Sequence, residues 1–252
     1  MKLPKLKKVG SKKPKILLLA DDIRVHSGVG TMARSIVEGT LDKYDWVQVG
    51  GAVNHPDLGK VFDLGEEWGK RLNVNDAYLK IFPVSGYGDQ NLIRELIKFE
   101  KPNAILHFTD PRFWQWLYQM EHEIRQDIPI MYYNIWDDLP YPHWNENFYE
   151  SCDLLMAISK QTYNINKNVC QRKPRIEGKD LTYVPHGIDQ NIYHPVDDLD
   201  GELVKVREQL FRGEEVDYVL LFNSRNIQRK RCADLIQAYR MFCDTLPKEK
   251  SS

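Results

Sequence analysis

Cysteine is scarce in this chain: four residues in 252, Cys152, Cys170, Cys232 and Cys243, none in Cys-x-x-Cys spacing. That pattern gives neither a disulfide framework nor a thiolate zinc site, and reduced thiols in the cytoplasm are the simplest expectation. An excess of charge of either sign is also missing. Lys and Arg number 35 against 36 Asp and Glu, a formal net charge of −1, so no global electrostatic footprint marks a nucleic-acid or anionic-membrane partner. No apolar run approaches the ~20 residues of a membrane span. Ile16–Ala20 falls short of the ~7–15-residue core of a secretory signal and is followed at once by Asp21-Asp22. Internal repeats and low-complexity stretches are absent. The one local imbalance is the tail, residues 1–15, with seven lysines (Lys2, Lys5, Lys7, Lys8, Lys12, Lys13 and Lys15) and no acid. It reads as a solvated flexible terminus or as a contact for phosphates.

What is present is a composition of 42% apolar and 28% charged residues, enough for a sizeable core. Short apolar runs alternate with helical-period segments. Strands are expected at Ile16–Ala20, Trp46–Val53, Tyr78–Pro83, Ala104–Phe108, Ile130–Ile135, Leu154–Ile158 and Leu181–Val184. Helices are expected at Thr31–Leu41, Asp89–Phe99, Phe113–Ile124, Asn145–Ser151 and Lys160–Val169, with Asp89 and Ser159 as N-caps. The order predicts a doubly wound α/β domain around a buried parallel sheet. Ligands collect beyond the carboxyl ends of such strands, which makes the loops 21–30, 84–88, 107–112 and 135–144 the expected site walls.

The most informative stretch is 184–195, Val-Pro-His-Gly-Ile-Asp-Gln-Asn-Ile-Tyr-His-Pro. Pro185 ends a strand by removing an N–H donor, and Gly187 is expected to allow a turn that a side chain would obstruct. By itself Pro-x-Gly is an ordinary surface turn. The longer string resembles the Val-Pro-Asn-Gly-Val-Asp...Phe-x-Pro segment that joins the two domains of retaining GT-B glycosyltransferases, especially glycosyltransferase family 4, with His186 and Tyr193 as variations. The resemblance runs from about Lys15 to Tyr239. It implies a Rossmann-like acceptor-binding domain over 16–195 with its hinge at 184–195, a linker at 196–216, and over 217–252 the start of a nucleotide-sugar-binding domain.

Three clusters carry the chemistry. Gly28-Val29-Gly30-Thr31-Met32-Ala33 matches the loose dinucleotide pattern G-x-G-x-x-A. Seven residues separate it from the first strand, however, and no acid closes the second strand to hold a ribose. The same residues resemble the family's Gly-Gly-x-Gly loop, which approaches the donor diphosphate, with Ser27 in place of the first glycine. A purely structural strand-to-helix turn is the alternative. Asn223–Arg231 carries Arg225, Arg229, Lys230 and Arg231. It reads as a solvated basic face, or by resemblance as the family's Gly-Arg-x-x-x-Arg-Lys motif, which implies that Arg225 and Lys230 bind the diphosphate. Fixed cations suit that task because the leaving nucleoside diphosphate gains negative charge as the glycosidic bond breaks. Ser224 replaces the motif's glycine.

The third cluster is Ile135–Trp144, where the family carries His-Asp facing the transferred sugar; here Trp136 and Asp137 stand. An indole can stack on a sugar but cannot accept a proton. Asp137-Asp138 could be taken for a metal pair, yet the resemblance implies no metal. Asp110 and Arg112 lie at the expected end of a strand, able to contact acceptor hydroxyls or to pair with each other. His107, in an apolar strand, reads as a core residue.

The polar stretch from Asp197 to Glu215 is followed by a buried-strand signal at Tyr218–Phe222 and a helical one at Cys232–Phe242. One strand and one helix bury too little surface to stand alone. The second domain is therefore expected to be truncated, packed onto the first, or completed by another chain. The family's Glu-x7-Glu segment has no counterpart here. Transfer of a sugar from a nucleotide-diphospho-sugar to a hydroxyl acceptor is the leading expectation. A non-catalytic assembly module, or a glycosyltransferase acting on modified nucleic-acid bases, stands beside it.

Overall fold

Lys15–Asp21 (β1) places Leu17 and Leu19 in one apolar cluster and Ile16, Leu18 and Ala20 in another. A strand with hydrocarbon on both faces belongs inside a parallel sheet covered on both sides. The computed structural model describes residues 13–53, 57–170, 180–197, 200–214, 216, 218–224 and 226–247. The chain divides into two compact units, 1–188 and 189–252.

The first unit is built on Asp45–Val53 (β2), Phe62–Asp63 (β3), Leu79–Ser85 (β4), Ala104–Phe108 (β5), Ile130–Asn134 (β6), Leu154–Ala157 (β7) and Leu181–Tyr183 (β8) together with β1. The sheet order is β3-β4-β2-β1-β5-β6-β7-β8, parallel throughout except for the short edge strand β3. Gly28–Glu38 (α1) and Gly65–Leu72 (α2) cover one face, with Ala33, Val37 and Trp68 buried there. Gln90–Glu100 (α3), Gln115–Gln119 (α4), Glu121–Ile124 (α5), Glu146–Glu150 (α6) and Lys160–Val169 (α7) cover the other, with Ile93, Leu96, Leu117, Ile124, Tyr149 and Ile165 buried. This is the doubly wound α/β sheet expected from the alternating pattern. Among the main strands, those after β1 run outward through β2 to β4, and the chain then returns to β5 on the opposite side of β1. The topological switch point therefore lies between β1 and β5, and the crevice at their carboxyl ends is where this architecture receives ligands.

Asp89 caps α3 through Oδ1, which accepts from the Asn91 and Leu92 amides, and Ser159 caps α7 by accepting from the Thr162 amide. Helix α1 begins at Gly28, three residues earlier than its apolar period suggests, because Ser27 supplies the cap. The helix expected over Phe113–Ile124 is instead a 3-10 turn at Pro111–Trp114 followed by α4 and α5. In one continuous helix Met120 would stand roughly 200° round from Tyr118, yet both are buried; the break lets both reach the core. Helix α2 and strand β3 were not legible. In α2 a Cβ on Gly65 would stand 2.6 Å from the Ala77 carbonyl oxygen, so that glycine serves a close approach rather than a break.

Val184 N still donates to the Ala157 oxygen at 2.9 Å, and Pro185 then ends the ladder as expected. Gly187 is a correction. Its φ is not positive, and a Cβ there would meet nothing within 4 Å, so this turn does not require glycine.

The second unit contains Gly201–Phe211 (α8), a 3-10 turn at Gln228–Lys230 and Cys232–Asp244 (α9). Helix α8 lies in the stretch read as a linker, started by Asp200, whose Oδ1 accepts from the Glu202 and Leu203 amides. The strand expected at Tyr218–Phe222 does not form. These residues are exposed, Leu221 at 84%, and among the described residues of this unit there is no second strand to complete a ladder.

Candidate functional site at the switch point

Asp21 ends β1 and Asp22 follows it, as Thr109-Asp110 follows β5. Asp22 is fully buried, and its Oδ2 takes the Arg24 Nη2 at 2.7 Å while Oδ1 accepts from the Arg24 amide at 2.8 Å. Asp110 repeats the arrangement: Arg112 Nη2 reaches Oδ2 at 2.5 Å, and Oδ1 accepts from the Arg112 amide and Nε at 3.0 and 2.9 Å. Each carboxylate closes its own loop and holds a guanidinium, Arg24 against Phe62 of β3 and Arg112 against Trp136 after β6. For Asp110, burial opposes ionisation, but the hydrogen bonds and charge of Arg112 prevail and hold its carboxyl below the ordinary range. The pairing of Asp110 with Arg112 is thus observed. The matching Asp22–Arg24 pair was missed, although the shared Asp-x-Arg spacing directly after an apolar strand was a readable signal.

Arg112 lies over the Trp136 ring at 5.3 Å, and Arg24 over the Phe62 ring at 4.1 Å. Trp136 is fixed from below. Its amide donates to Asn134 Oδ1 at 2.9 Å, and that oxygen also accepts from Tyr132 Oη at 3.1 Å. Tyr132 Oη lies 3.1 Å from the Thr109 carbonyl oxygen as well, which links the β5 and β6 loops. Asp137 is exposed, with its carbonyl accepting from Gln161 Nε2 at 2.8 Å. Among the described residues no group of His, Cys, Asp and Glu could hold a metal ion. His186 brings its ring edge to Phe108 and Tyr133, centroids 6.0 and 5.5 Å apart, at the ends of β5 and β6.

On the other side of the crevice stands Tyr87, in the loop after β4. Its ring stacks on Phe113 at 4.9 Å and meets the edge of Trp114 at 5.4 Å. Burial pushes its hydroxyl up to about 12, with the charges of Asp21 and Asp110 adding to the effect. Tyr87 therefore remains a neutral donor, within electrostatic reach of both carboxylates. Nothing in the local sequence singles out Tyr87, because no local pattern marks the place where four loops converge.

The two glycines of the first cluster have different jobs. Both are in the first turn of α1, and Ser27 Oγ accepts from the Gly30 amide at 2.9 Å. A Cβ on Gly30 would stand 2.8 Å from the Val25 carbonyl oxygen and 2.9 Å from that of Asp22. Gly30 is a packing requirement. A Cβ on Gly28 would meet nothing within 4 Å, and Gly28 is exposed, so the fold leaves open space before the helix N-terminus, where amides and dipole favour an anion. Gly30→Ala is expected to lower stability by about 1–3 kcal/mol through overpacking and disturbance of the cap. Gly28→Ala should stay within about 0.5 kcal/mol of the parent in urea denaturation. A Gly28 variant that unfolds like the Gly30 variant would contradict this division.

Lys230 ends the 3-10 turn Gln228–Lys230 of the second unit and is exposed. Arg225 lies outside the described residues. Among the described residues no helix is long and apolar enough to cross a membrane.

No protein-family description matches the sequence, and no curated protein does. Among solved structures, the chain is similar to Anabaena HepE in complex with UDP and glucose, at 15% identity and a TM-score of 0.49, over 78% of this chain and 50% of that one. It is also similar to a putative UDP-N-acetylglucosamine 2-epimerase from Listeria monocytogenes, at 13% identity and a TM-score of 0.39, over 65% of this chain and 44% of that one. The chain spans about half the length of these structures.

Proposed function

We propose that this chain is the acceptor-binding part, with the beginning of the donor-binding part, of a glycosyltransferase that moves a sugar from a nucleotide-diphospho-sugar to a hydroxyl with retention of configuration. The observation that carries the reading is the crevice at the switch point. It combines an open helix N-terminus at Gly28, a guanidinium held by Asp110, and the Trp136 indole beneath that guanidinium. Aromatic faces and fixed polar groups suit a sugar, and a free helix start suits phosphate.

In the reaction, the bond from the anomeric carbon to the phosphate oxygen breaks and its electron pair leaves with the nucleoside diphosphate. The acceptor oxygen bonds to the same face of the anomeric carbon, and its proton passes to the departing phosphate oxygen. Arg225 and Lys230 offset the charge that develops on the diphosphate. Trp136 packs on the sugar, and Asp110 with Arg112 lines its approach.

The test is calorimetric titration of the purified chain with UDP, GDP and ADP, alongside Arg225→Ala and Lys230→Ala. One nucleotide is expected to bind, and each substitution to weaken it at least about tenfold, since hydrogen bonds to charged groups contribute roughly 1.5–3 kcal/mol. Absence of binding to all three would overturn a donor site in this chain. The exposed strip Tyr218–Phe222 favours a second reading, an assembly module covered by another chain. In that case the nucleotide series is silent and the chain sediments with a partner. A nucleic-acid acceptor would instead appear as salt-dependent DNA binding.

A further inference from the structure

We infer that Asp21 is a substrate-binding residue whose carboxylate accepts a hydrogen bond from a hydroxyl of a polyhydroxylated, sugar-like ligand seated against the Tyr87 ring. Asp21 is the last residue of β1 and only 8% exposed. Its Oδ2 takes the Ser27 hydroxyl at 2.6 Å, the one side-chain hydrogen bond of this carboxylate among the described residues. Ser27 spends its one hydroxyl proton on Asp21 and accepts from the Gly30 amide.

Of the three carboxylates at the ends of β1 and β5, Asp22 and Asp110 each hold a guanidinium, and Asp21 holds none. A carboxylate this deeply buried with a single neutral donor is costly. The fold does not need the charge, because an asparagine would accept the same Ser27 bond. Burial accordingly raises the Asp21 carboxyl, with the Ser27 bond opposing, while Arg112 holds Asp110 down. The two carboxyls thus differ in their partners, Asp110 paired with a cation and Asp21 left with a neutral donor.

The surroundings define the ligand. Helix α1 contributes the neutral Ser27, the β5 loop Asp110 with its Arg112, and the β4 loop Tyr87, whose phenol senses both carboxylates. Strand β2 contributes the bare backbone of Gly50 and Gly51. A Cβ on Gly51 would stand 2.9 Å from the Tyr87 ring, so the aromatic wall leans directly over this end of the sheet. A carboxylate oxygen open to a further donor, on the same side of the sheet as Tyr87, fits a ligand that carries hydroxyls on its edge. Identifying this ligand as the acceptor rests on the glycosyltransferase reading; the binding chemistry does not.

The test uses the full chain, with aspartate labelled at Cγ, and methyl α-glucoside, myo-inositol and UDP as separate probes. The Asp21 resonance, assigned by its loss in Asp21→Asn, is expected to titrate above the free-aspartate range and to move saturably with at least one polyol. Polyol affinity should fall about tenfold for each pH unit below that titration. Asp21→Asn should weaken the polyol at least tenfold and leave UDP affinity within about twofold. Its melting temperature at pH 7.5 should match or exceed the parent's, since a raised acid opposes folding once pH exceeds its unfolded value. Saturable polyol binding by a chain that binds none of UDP, GDP and ADP would overturn the donor site and sustain this inference. No polyol shift in the parent, or equal polyol affinity in Asp21→Asn, would overturn the inference.

Discussion

Trp114→Ala is expected to lower the free energy of unfolding by about 3–5 kcal/mol, as truncation of a fully buried indole does. Trp114 has no exposed surface, and its ring packs on Tyr87, His107 and Trp116 at centroid distances of 5.4, 5.6 and 5.6 Å. Its Nε1 donates to Thr109 Oγ1 at 3.3 Å. The cavity would open directly beneath the loop that carries Asp110 and Arg112, so the loss should extend from stability to ligand binding. Phe113→Ala, its exposed neighbour, should cost less than about 1 kcal/mol. Urea denaturation followed by circular dichroism distinguishes the two, and a loss under about 1 kcal/mol at Trp114 would mean that the indole does not support this loop.

His107 should make the fold acid-labile well above the range of ordinary carboxylates. The ring is completely buried, stacked on Tyr132 at 4.9 Å, with Nδ1 2.6 Å from Tyr118 Oη and Nε2 lacking a hydrogen-bond partner among the described residues. Burial lowers its pKa from 6.5 to about 3, against the pull of the Asp110 charge. The unfolded chain therefore binds a proton near pH 6.5 that the folded chain refuses until about pH 3. The contribution is intact above pH 6.5 and is lost as pH falls through that window, at about 1.4 kcal/mol per pH unit and on the order of 4–5 kcal/mol in all. His107→Gln removes the titration. Its stability deficit against the parent should shrink between pH 6 and 4 by roughly 1.4 kcal/mol per unit. Parallel pH profiles for the two proteins would show that His107 protonates in the native state.

The parts of the fold that were legible were those in which local and global requirements coincide. Leu17-Leu18-Leu19 is apolar on both faces because parallel strands are covered on both faces, so the run itself announces β1. Asp89 and Ser159 were readable as caps, because a short polar side chain before an amphipathic helix satisfies that helix's own first amides. The helix over 113–124 was misread because burying both Tyr118 and Met120 requires a break that no single helical period encodes. Tyr218–Phe222 carried a strand's composition without a strand's neighbour, and hydrogen bonds of a ladder are made between segments rather than within one.

The site divides in the same manner. The position of Asp110 and Arg112 after a strand followed from the residues, which left their mutual pairing as one of two alternatives. That Gly30 is held by packing while Gly28 faces open space did not, because the two glycines are identical in the sequence and differ only in what lies opposite them. Nor could the sequence distinguish Asp21 from Asp22. Strand alternation sends adjacent aspartates to opposite faces of the sheet, and only there does one meet Arg24 and the other only a serine hydroxyl. The sequence by itself determined a doubly wound α/β unit and the loops that follow the carboxyl ends of its strands, because those depend on period and order along the chain. The tertiary structure alone decided which carboxylates are neutralised, which glycine is free and which aromatic rings converge, because burial and charge pairing depend on residues that are distant in sequence and adjacent in space.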